Sequence, residues 1–481
     1  MIVGIDIGTQ SLKAVVLDDG LQVRGAAATA YEPAFPKPGW AEQDPGLWEA
    51  ALAPTIARAL ESAGAGAGDI AGLGIGGQLD GCVAVDGTGE PVHPCLIWMD
   101  RRAEREVAGL PADDVRDRTG VILDASHMAA KIRWLKANVP AARGCLFHQP
   151  TSYLVHRLTG TAVMDHALAS TSMLYGLGFR AFDPWLLEVF GIAAGELPAL
   201  GDAAQTAGTL TARGATLTGL AEGTPVAIGT GDDFSTPLGA GIVAPGRLAC
   251  VLGTAEVVGA VHAEPAIDGN GLVETHAYAG GGFFIENPGW LSGGALAWFR
   301  ETFRLQDFRE LDALADAVPP GADGVTFLPG LSGTMAPEWI ASARGCFYGL
   351  TPAHGAGHMA RAVLEGTAFA MRDVAERLTE MGVGIDAIRL LGGGAKSRTW
   401  ARIRADLTGL PVELPEITDT APIGAALLAA VAVGREADLM TAAEKIGGVA
   451  ETVDPEPARK PAYDAAYGAY RTLFEALRPM Y

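Results

Sequence analysis

The sequence predicts an α/β protein of two domains, and three observations point to this class. The chain has 481 residues, 49% of them hydrophobic, which is more than one ordinary core accommodates. Strand-like apolar runs alternate with helical patterns in both halves. A strand–glycine–strand motif around Gly8 recurs around Gly253. Glycines at residues 239–246 separate the halves, so we predict domains at residues 1–243 and 244–481, with a cleft between them.

Composition excludes several classes of protein. The net charge of −21 would repel a phosphate backbone, so no nucleic-acid partner is expected. The longest apolar run, residues 423–433, is too short to cross a bilayer, and no signal-peptide pattern follows Met1. The five cysteines are scattered without metal-ligand spacing and are expected to be reduced thiols. We therefore expect a cytoplasmic protein with no membrane partner.

The elements of the first half follow from apolar runs and helix starts. Asp44 and Pro45 are typical of a helix N-terminus and predict a helix through about Leu60. Another helix is predicted from Leu146 past Leu158. Predicted strands cover residues 2–5, 14–17, 70–75, 83–85 and 226–228.

The second half continues the alternation. Predicted strands cover residues 248–252, 255–260 and 387–391, and predicted helices cover residues 294–302, 358–381 and a stretch starting at Arg398. A final helix is predicted within residues 455–481, where one face carries Tyr463, Tyr467, Tyr470 and Phe474 for packing.

The motif at residues 4–11 predicts a hairpin that binds phosphate. A glycine lets backbone amides approach an anion closely, and the hydroxyl and amide side chains beside it add donors. Asp6, at the end of the first strand, is placed to hold a metal ion through water. The candidate phosphate ligands are Gly8, Thr9, Gln10, Ser11 and Lys13.

Residues 251–258 repeat this pattern, with Gly253 and Thr254 at the turn. Two phosphate hairpins in two similar halves indicate an ATP-dependent phosphotransferase. Glycine-lined helix starts suit a nucleotide, because bare backbone and helix N-termini accept phosphate. Such starts occur at Gly294 and at the triple-glycine turn, with Gly393, Gly394 and Ser397.

Asp232 and Asp233 follow an apolar strand and are flanked by glycines, which suits a site better than a core. An ionised carboxylate within reach of a hydroxyl serves as a general base, a role predicted for Asp232. Asp233 is predicted to contact substrate, with helix capping as the alternative. A short helix is predicted at residues 235–239, its N-terminus facing the same opening.

A second polar group is predicted to bind a polyhydroxylated ligand. Amide and carboxylate side chains match hydroxyls, which both donate and accept, and an aromatic face packs on sugar C–H groups. Local turn formation and core packing are the alternatives. The candidates are Gln78, Leu79, Asp80, Trp98 and Asp100.

Together these segments resemble the FGGY carbohydrate kinases of the actin-like ATPase superfamily, in matching order along nearly the whole chain. Residues 345–350 and 358–365 are similar to the family's C-terminal signature. Its other signature, at residues 126–135, is partly present, with Lys131 in place and Met128 where a small residue or proline is usual. The resemblance implies a two-domain actin-like (ribonuclease H-like) fold.

Within the family, residues 40–45, 97–98, 327–333 and 362–366 resemble the xylulokinase branch. This likeness implies ATP-dependent phosphorylation of D-xylulose, with Asp232 as base and Mg²⁺ held by Asp6 and Asp232. It also implies that Thr254 binds phosphate and that Gly393 and Gly394 bind the nucleotide. Relatives often form dimers, so a homodimer is expected.

Three departures keep other substrates open. Xylulokinases usually carry Met-His in place of Leu79-Asp80, Asn in place of Asp233 and Ser in place of Ala255. Glycerol kinases hold an acidic residue at the place of Asp80, after an arginine that Leu79 does not supply. Ribulose, xylitol, erythritol and glycerol are therefore alternatives. A different class, a non-catalytic actin-like ATP or sugar sensor, would have no need of a positioned base such as Asp232.

Overall fold

The computed structural model describes every residue from Met1 to Tyr481 and divides into two compact units. Unit 1 contains Met1–Val243, Thr275–Phe283 and Thr420–Gly447, and unit 2 contains Ala244–Glu274, Phe284–Asp419 and Gly448–Tyr481. The chain thus returns twice to unit 1 after first leaving it. The predicted boundary between two functional domains, at residues 243 and 244, stays a prediction.

Strands occur throughout both units. In chain order they are β1 (Ile2–Ile7), β2 (Ser11–Leu17), β3 (Val23–Ala30), β4 (Glu42–Gln43), β5 (Gly72–Gly77), β6 (Val83–Val85), β7 (Cys95–Leu96), β8 (Leu146–His148), β9 (Val163–Asp165), β10 (Tyr175–Gly176), β11 (Ala181–Phe182), β12 (Ala199–Gly201), β13 (Thr206–Thr209), β14 (Pro225–Ala227), β15 (Thr230–Gly231), β16 (Gly246–Leu252), β17 (Ala255–His262), β18 (Glu274–Ala277), β19 (Phe283–Leu291), β20 (Thr326–Leu328), β21 (Cys346–Tyr348), β22 (Ile385–Leu391), β23 (Val412–Pro415) and β24 (Val449–Val453).

Helices alternate with these strands. They are α1 (Pro45–Ala63), α2 (Glu104–Val107), α3 (Ala112–Thr119), α4 (Met128–Asn138), α5 (Pro150–Thr159), α6 (His166–Thr171), α7 (Pro184–Phe190), α8 (Ala212–Thr218), α9 (Asp232–Gly239), α10 (Gly293–Thr302), α11 (Phe308–Asp316), α12 (Ala356–Glu380), α13 (Arg398–Thr408), α14 (Ala421–Ala432), α15 (Leu439–Ile446) and α16 (Lys460–Leu477). None of them combines the length and the apolar character that crossing a membrane requires.

The main sheets of the two units share one pattern. In unit 1 the strand order is β13–β14–β5–β1–β2–β3, with β15 also paired to β5. Strand β1 pairs antiparallel with β2 and parallel with β5. In unit 2 the order β19–β17–β16–β22–β23–β24 is found, and β16 likewise pairs antiparallel with β17 and parallel with β22. The predicted α/β class and both predicted hairpins are confirmed.

Two predicted helices differ from the structure. Residues Leu146–His148 form strand β8, which pairs with β6, and helix α5 begins only at Pro150. Proline disfavours helical backbone in the residue before it and suits the first helical position. The short helix predicted at residues 235–239 begins earlier, at Asp232, so both candidate carboxylates lie in its first turn.

Helix α14 packs unusually close to the sheet of unit 1. A Cβ atom on Gly4 would lie 1.9 Å from the carbonyl oxygen of Pro422, and one on Gly74 would lie 1.8 Å from that of Ala425. Glycine in a strand permits such an approach of another backbone. The contact extends to α9, because a Cβ atom on Gly239 would lie 2.1 Å from the carbonyl oxygen of Thr420. The apolar run at residues 423–433 is therefore an interior helix.

Replacing Gly74 by alanine should disrupt this contact. The added methyl group has no room beside Ala425, and overpacking of a core typically lowers the free energy of unfolding by about 1–3 kcal/mol, with backbone clashes at the upper end. Chemical denaturation measures the change. Gly68→Ala is the matched control, because nothing lies within 4 Å of its new Cβ atom. Equal stability of both variants would contradict the close contact.

Candidate active site

The first hairpin turn is held by side chains from elsewhere in unit 1. The Tyr31 hydroxyl donates to the carbonyl of Gly8 at 2.7 Å, and the Gln43 amide donates to the carbonyl of Thr9 at 2.5 Å. The indole N–H of Trp98 donates to the Thr9 hydroxyl at 3.0 Å. Three hydrogen bonds from other segments thus hold the turn in place. Trp98 contacts the hairpin, and its stacking on a sugar stays a prediction.

The remaining candidates of this hairpin lie around its turn. Asp6, which is buried, faces Lys13 across the β1–β2 ladder. Gln10 is exposed at the turn and Ser11 begins β2. A carboxylate and an ammonium group thus flank the strand ends at which the predicted phosphate site lies.

Asp232 and Asp233 open helix α9 directly after β15, which pairs with Gly76 and Gly77 of β5. The backbone N–H of Asp233 donates to Oδ1 of Asp232 at 3.2 Å. The residue at the cap position is Gly231, so capping does not account for Asp233. The structure therefore brings both carboxylates to the end of β5, beside Gln78.

Four carboxylates converge at this place. Burial, and then the neighbouring charge of Asp233, raise the pKa of Asp232. Burial, Asp80 and Asp6 raise the pKa of Asp233. Burial, together with Asp6 and Asp232, also raises the pKa of the Tyr31 hydroxyl. Like charges this close in protein favour protonation, so the site accommodates its full negative charge poorly.

The same carboxylates are suited to magnesium. No three His, Cys, Asp or Glu side chains form a ready-made metal-binding group. Magnesium usually takes only one or two carboxylates and completes its shell with water and substrate phosphates. Asp6 and Asp232, both close enough to act on Tyr31, fit that donor set.

Asp80 is fixed by four separate features. Its φ angle is +55°, a left-handed conformation uncommon for an aspartate. Its N–H donates to Oε1 of Gln149 at 2.8 Å, and its carbonyl accepts from Nζ of the buried Lys131 at 2.6 Å. Its Oδ2 lies 3.0 Å from Nδ1 of His127, whereas its Oδ1 is buried without a partner. Backbone held in a sparse region by its surroundings is typical of binding sites.

The side chains of the neighbouring candidates Gln78 and Leu79 have different surroundings. Nε2 of Gln78 donates to Oε1 of Gln43 at 2.6 Å, and Oε1 of Gln78 is buried without a partner. This oxygen is available to a ligand hydroxyl. Leu79 instead packs on Gly231, where an added Cβ atom would lie 1.8 Å from its Cδ2. Contact of Leu79 with substrate stays a prediction that this packing does not support.

Asp100 is occupied by protein groups. Its Oδ2 accepts from the N–H of Ala41 at 2.7 Å, and its Oδ1 accepts from the N–H of Arg102 at 3.1 Å. The guanidinium of Arg102 also binds both oxygens. These bonds give Asp100 a structural role, and they do not support its predicted contact with substrate.

A buried aspartate outside the predictions supports the strand that leads to Asp232. Oδ2 of Asp165 accepts from the Thr230 hydroxyl at 2.8 Å, and its oxygens also accept from the N–H groups of Ala167 and Leu168. Burial outweighs these bonds and raises the pKa of Asp165 to about 7. Asp165 thus holds Thr230, two residues before Asp232, in place.

In unit 2 the second hairpin is bonded to the start of helix α10. The carbonyl of Thr254 accepts from the N–H groups of Ser292 at 3.2 Å and Gly294 at 3.0 Å. A Cβ atom on Gly293 would lie 2.2 Å from the carbonyl oxygen of Gly253, so this approach requires glycine. The predicted candidates Gly253, Thr254 and Gly294 are therefore adjacent.

The triple-glycine turn lies beside the same hairpin. A Cβ atom on Gly394 would lie 2.7 Å from Cβ of Leu252, whereas Gly393 is exposed with open space around it. The Ser397 hydroxyl caps helix α13 and donates to Asp312 at 2.9 Å. Gly393 thus leaves bare backbone open to a ligand, whereas the space beside Gly394 is filled by Leu252 and Ser397 is engaged within the protein. Binding of a nucleotide by these residues stays a prediction.

A buried ion pair underlies the second hairpin. Nη1 and Nη2 of Arg404 bind Oε1 and Oε2 of Glu256 at 2.5 and 2.8 Å, and both side chains are fully buried. The Ser292 hydroxyl donates to Oε2 of Glu256 at 2.7 Å. One carboxylate thereby connects β17 with α13 and with the start of α10.

Sequence reasoning missed Tyr31, Gln43, His127, Asp165, Glu256 and Arg404. Each acts on a residue distant in sequence, and that partner is what the sequence does not indicate. Three of them nevertheless lie in recognised segments: Gln43 in residues 40–45, His127 in the partial family signature at residues 126–135, and Glu256 in the second hairpin motif at residues 251–258.

The comparisons with known proteins agree with this architecture. Residues 1–239 match the N-terminal domain of the FGGY family of carbohydrate kinases, and residues 248–433 match its C-terminal domain. The chain therefore belongs to the FGGY family of carbohydrate kinases, with the two-domain, actin-like ATPase fold predicted from its motifs.

Individual relatives differ in the substrate they are named for. A glycerol kinase of Alkalilimnicola ehrlichii is 34% identical over 454 residues, which cover 90% of each chain. A solved xyloylose kinase of Brucella ovis is 30% identical with a TM-score of 0.91 and covers both chains fully. A xylulose kinase of Rhodospirillum rubrum is 29% identical with a TM-score of 0.90, covering 100% of this chain and 99% of that one. The comparisons thus leave the acceptor of this kinase open.

Removing Arg404 should destabilise unit 2. Arg404→Met leaves Glu256 as a buried charge without its partner, a change that typically lowers the free energy of unfolding by about 3–5 kcal/mol. Arg402→Met is the matched control on the same helix, because its ion pair with Asp316 is half exposed and should contribute about 1 kcal/mol or less. Urea denaturation of both variants measures the difference. If both variants lost a similar free energy of unfolding, burial would not be what makes the Arg404–Glu256 pair stabilising.

Proposed function

We propose that this protein transfers the terminal phosphoryl group of ATP to a hydroxyl of an uncharged ketopentose or polyol, with D-xylulose to D-xylulose 5-phosphate as the principal reaction. The observation that carries the proposal is the convergence of Asp80, Asp232 and Asp233 in unit 1. Carboxylates are acceptors, so they match a ligand rich in donor hydroxyls.

The charge of this site selects against anionic acceptors. Asp6 adds a fourth carboxylate, while Lys13 is the cation that acts on Asp232. A carboxylate or phosphate on the acceptor would meet like charge in a partly buried place. An acid such as gluconate should therefore be a poor substrate, and a neutral sugar or polyol a good one.

In the proposed reaction Asp232 is the general base. Its carboxylate accepts the proton of the attacking hydroxyl, and the hydroxyl oxygen forms its bond to phosphorus as the bond to the ADP oxygen breaks. Asp6 and Asp232 would hold Mg²⁺, which neutralises phosphate charge when bound. Cationic charge beside Asp232 also lowers its raised pKa and so restores the ionised base. The Gly8–Thr9 turn of unit 1 and the Gly253–Thr254 turn of unit 2 each offer amides and hydroxyls as phosphate ligands.

Glycerol is the second candidate acceptor. An acidic side chain at position 80 is a feature shared with glycerol kinases, and the curated relatives at 30–34% identity are glycerol kinases. Leu79, packed on Gly231, supplies no arginine donor beside it. This difference favours the ketopentose.

A coupled assay of ADP release tests the proposal with D-xylulose, ribulose, xylitol, erythritol, glycerol and gluconate. D-xylulose should give the highest kcat/KM and gluconate almost no turnover. Highest turnover with glycerol would establish the second candidate. ATP binding without acceptor-dependent ADP release would indicate the non-catalytic sensor instead.

Asp232→Asn should lower kcat by about 10²–10⁴-fold, because an amide cannot accept the hydroxyl proton. Binding of ATP, measured by calorimetry, should remain close to that of the wild type. Asp113→Asn is the control, since that side chain is 86% exposed. Near-normal turnover of Asp232→Asn would remove this residue from the mechanism.

Asp80→His should shift the acceptor preference toward D-xylulose. The imidazole replaces a carboxylate, which only accepts hydrogen bonds, and reduces the negative charge of the site. The ratio of kcat/KM for D-xylulose to kcat/KM for glycerol should therefore rise about tenfold, equivalent to about 1.4 kcal/mol. Steady-state kinetics with both acceptors measures the ratio. An unchanged ratio would place Asp80 outside the acceptor site.

A further inference from the structure

His127 is a buried histidine that contacts a candidate substrate ligand. It lies at the residue before helix α4, is 3% exposed, and has Nδ1 3.0 Å from Oδ2 of Asp80. An ionised carboxylate only accepts hydrogen bonds, so Nδ1 carries the proton and donates. The hydrogen bond therefore fixes one of the two oxygens of Asp80.

The rest of Asp80 is fixed by its backbone. Gln149 binds its N–H and Lys131 binds its carbonyl, so rotation about the side-chain bonds is the freedom that remains. The bond from His127 removes it. Oδ1, which has no protein partner, is then the oxygen left to a ligand.

The charges around His127 support a hydrogen bond that persists. Asp124 is a second carboxylate that interacts with His127. Burial raises the pKa of Asp124, but Arg101, His127 and the hydrogen bonds from Ser126 together outweigh burial and lower it. Arg101 is bonded to Asp124 in turn, and Lys131 binds the carbonyl of Ser126 next to His127. The imidazole is thus hydrogen-bonded to Asp80, and it also interacts electrostatically with Asp124.

We propose that His127 is a positioning residue that determines acceptor specificity by presenting Oδ1 of Asp80 to a donor hydroxyl of the uncharged sugar or polyol. This inference rests on the proposed kinase function. A freely rotating carboxylate would lose orientation on binding and would discriminate poorly between acceptors. The predicted effect therefore falls on acceptor affinity, with the chemical step and ATP binding unchanged.

The test compares His127→Phe with His127→Asn, using D-xylulose and glycerol as acceptors at saturating ATP. Phenylalanine keeps a ring of similar size without a donor, whereas the amide nitrogen of asparagine takes the place of Nδ1. His127→Phe should raise the KM of the better acceptor about 10–100-fold, the usual effect of losing a hydrogen bond to a charged group. Its kcat and KM for ATP should stay within about twofold of wild type, and His127→Asn should recover most of the loss.

His93→Phe is the matched control in unit 1, because Nδ1 of His93 is bonded to the backbone carbonyl of Pro94 and phenylalanine keeps the edge-on ring contact with Trp134. Wild-type kinetics in His127→Phe would overturn the proposal. An equal rise in the acceptor KM of the Phe and Asn variants would also overturn it. So would a rise in the KM for ATP, because a merely structural role of His127 predicts both results.

Two further measurements keep the outcome decisive. If His127→Phe does not fold, His127→Gln replaces it, because the amide of glutamine reaches beyond the Nδ1 position. A rise in the acceptor KM alone would then support the proposal, and wild-type kinetics would overturn it. If the wild type shows no turnover with any acceptor, the proposed function fails. Calorimetric binding of xylitol to the same variants then tests His127 alone, and equal affinities overturn its role.

Discussion

The close contact between helix α14 and the sheet of unit 1 is the constraint on which the rest of that unit depends. Gly4 and Gly74 bring two parallel strands against the helix backbone, and Gly239 does the same for helix α9. At such distances a side chain has no room, so geometry here is set by backbone against backbone. Asp6 lies in β1, Gln78 follows β5 and Asp232 begins α9, which are the elements held in this way. Their relative positions are therefore fixed by packing before any ligand contributes.

This fixed geometry is needed because the carboxylates of the site repel one another. Asp232 and Asp233 have raised pKa values in the folded protein, so the native state holds their protons more tightly than the unfolded state. Stability from these two groups is present at low pH and is lost as the pH rises from the ordinary aspartate range toward the raised values. The sheet and helix α14 maintain the cluster against this repulsion, and cations or hydroxyl donors of a ligand relieve it.

Local patterns were predictable from the sequence, and contacts across the fold were not. The two hairpins, the start of α1 at Asp44 and the aromatic face of α16 each follow from residues within one segment. The carboxylate pair at residues 232 and 233 was predictable because glycines surround it after an apolar strand. Asp100 is likewise a carboxylate after an apolar strand, yet its oxygens are occupied by Arg102, two residues later, and by the N–H of Ala41, 59 residues earlier. The contact with Ala41 is one that no spacing rule indicates. His127 and Glu256 were missed for the same reason, since their partners lie far away along the chain.

The membership of Thr420–Gly447 in unit 1 has a consequence for synthesis on the ribosome. When residue 243 has emerged, every strand of the first main sheet has been made, but helix α14, which covers its glycine-lined face, begins only at Ala421, 178 residues later. That face must stay exposed, or be shielded by a chaperone, throughout translation of the intervening segment. The nascent polypeptide is thus most vulnerable to aggregation in mid-synthesis, and its first unit matures only near the end of the message.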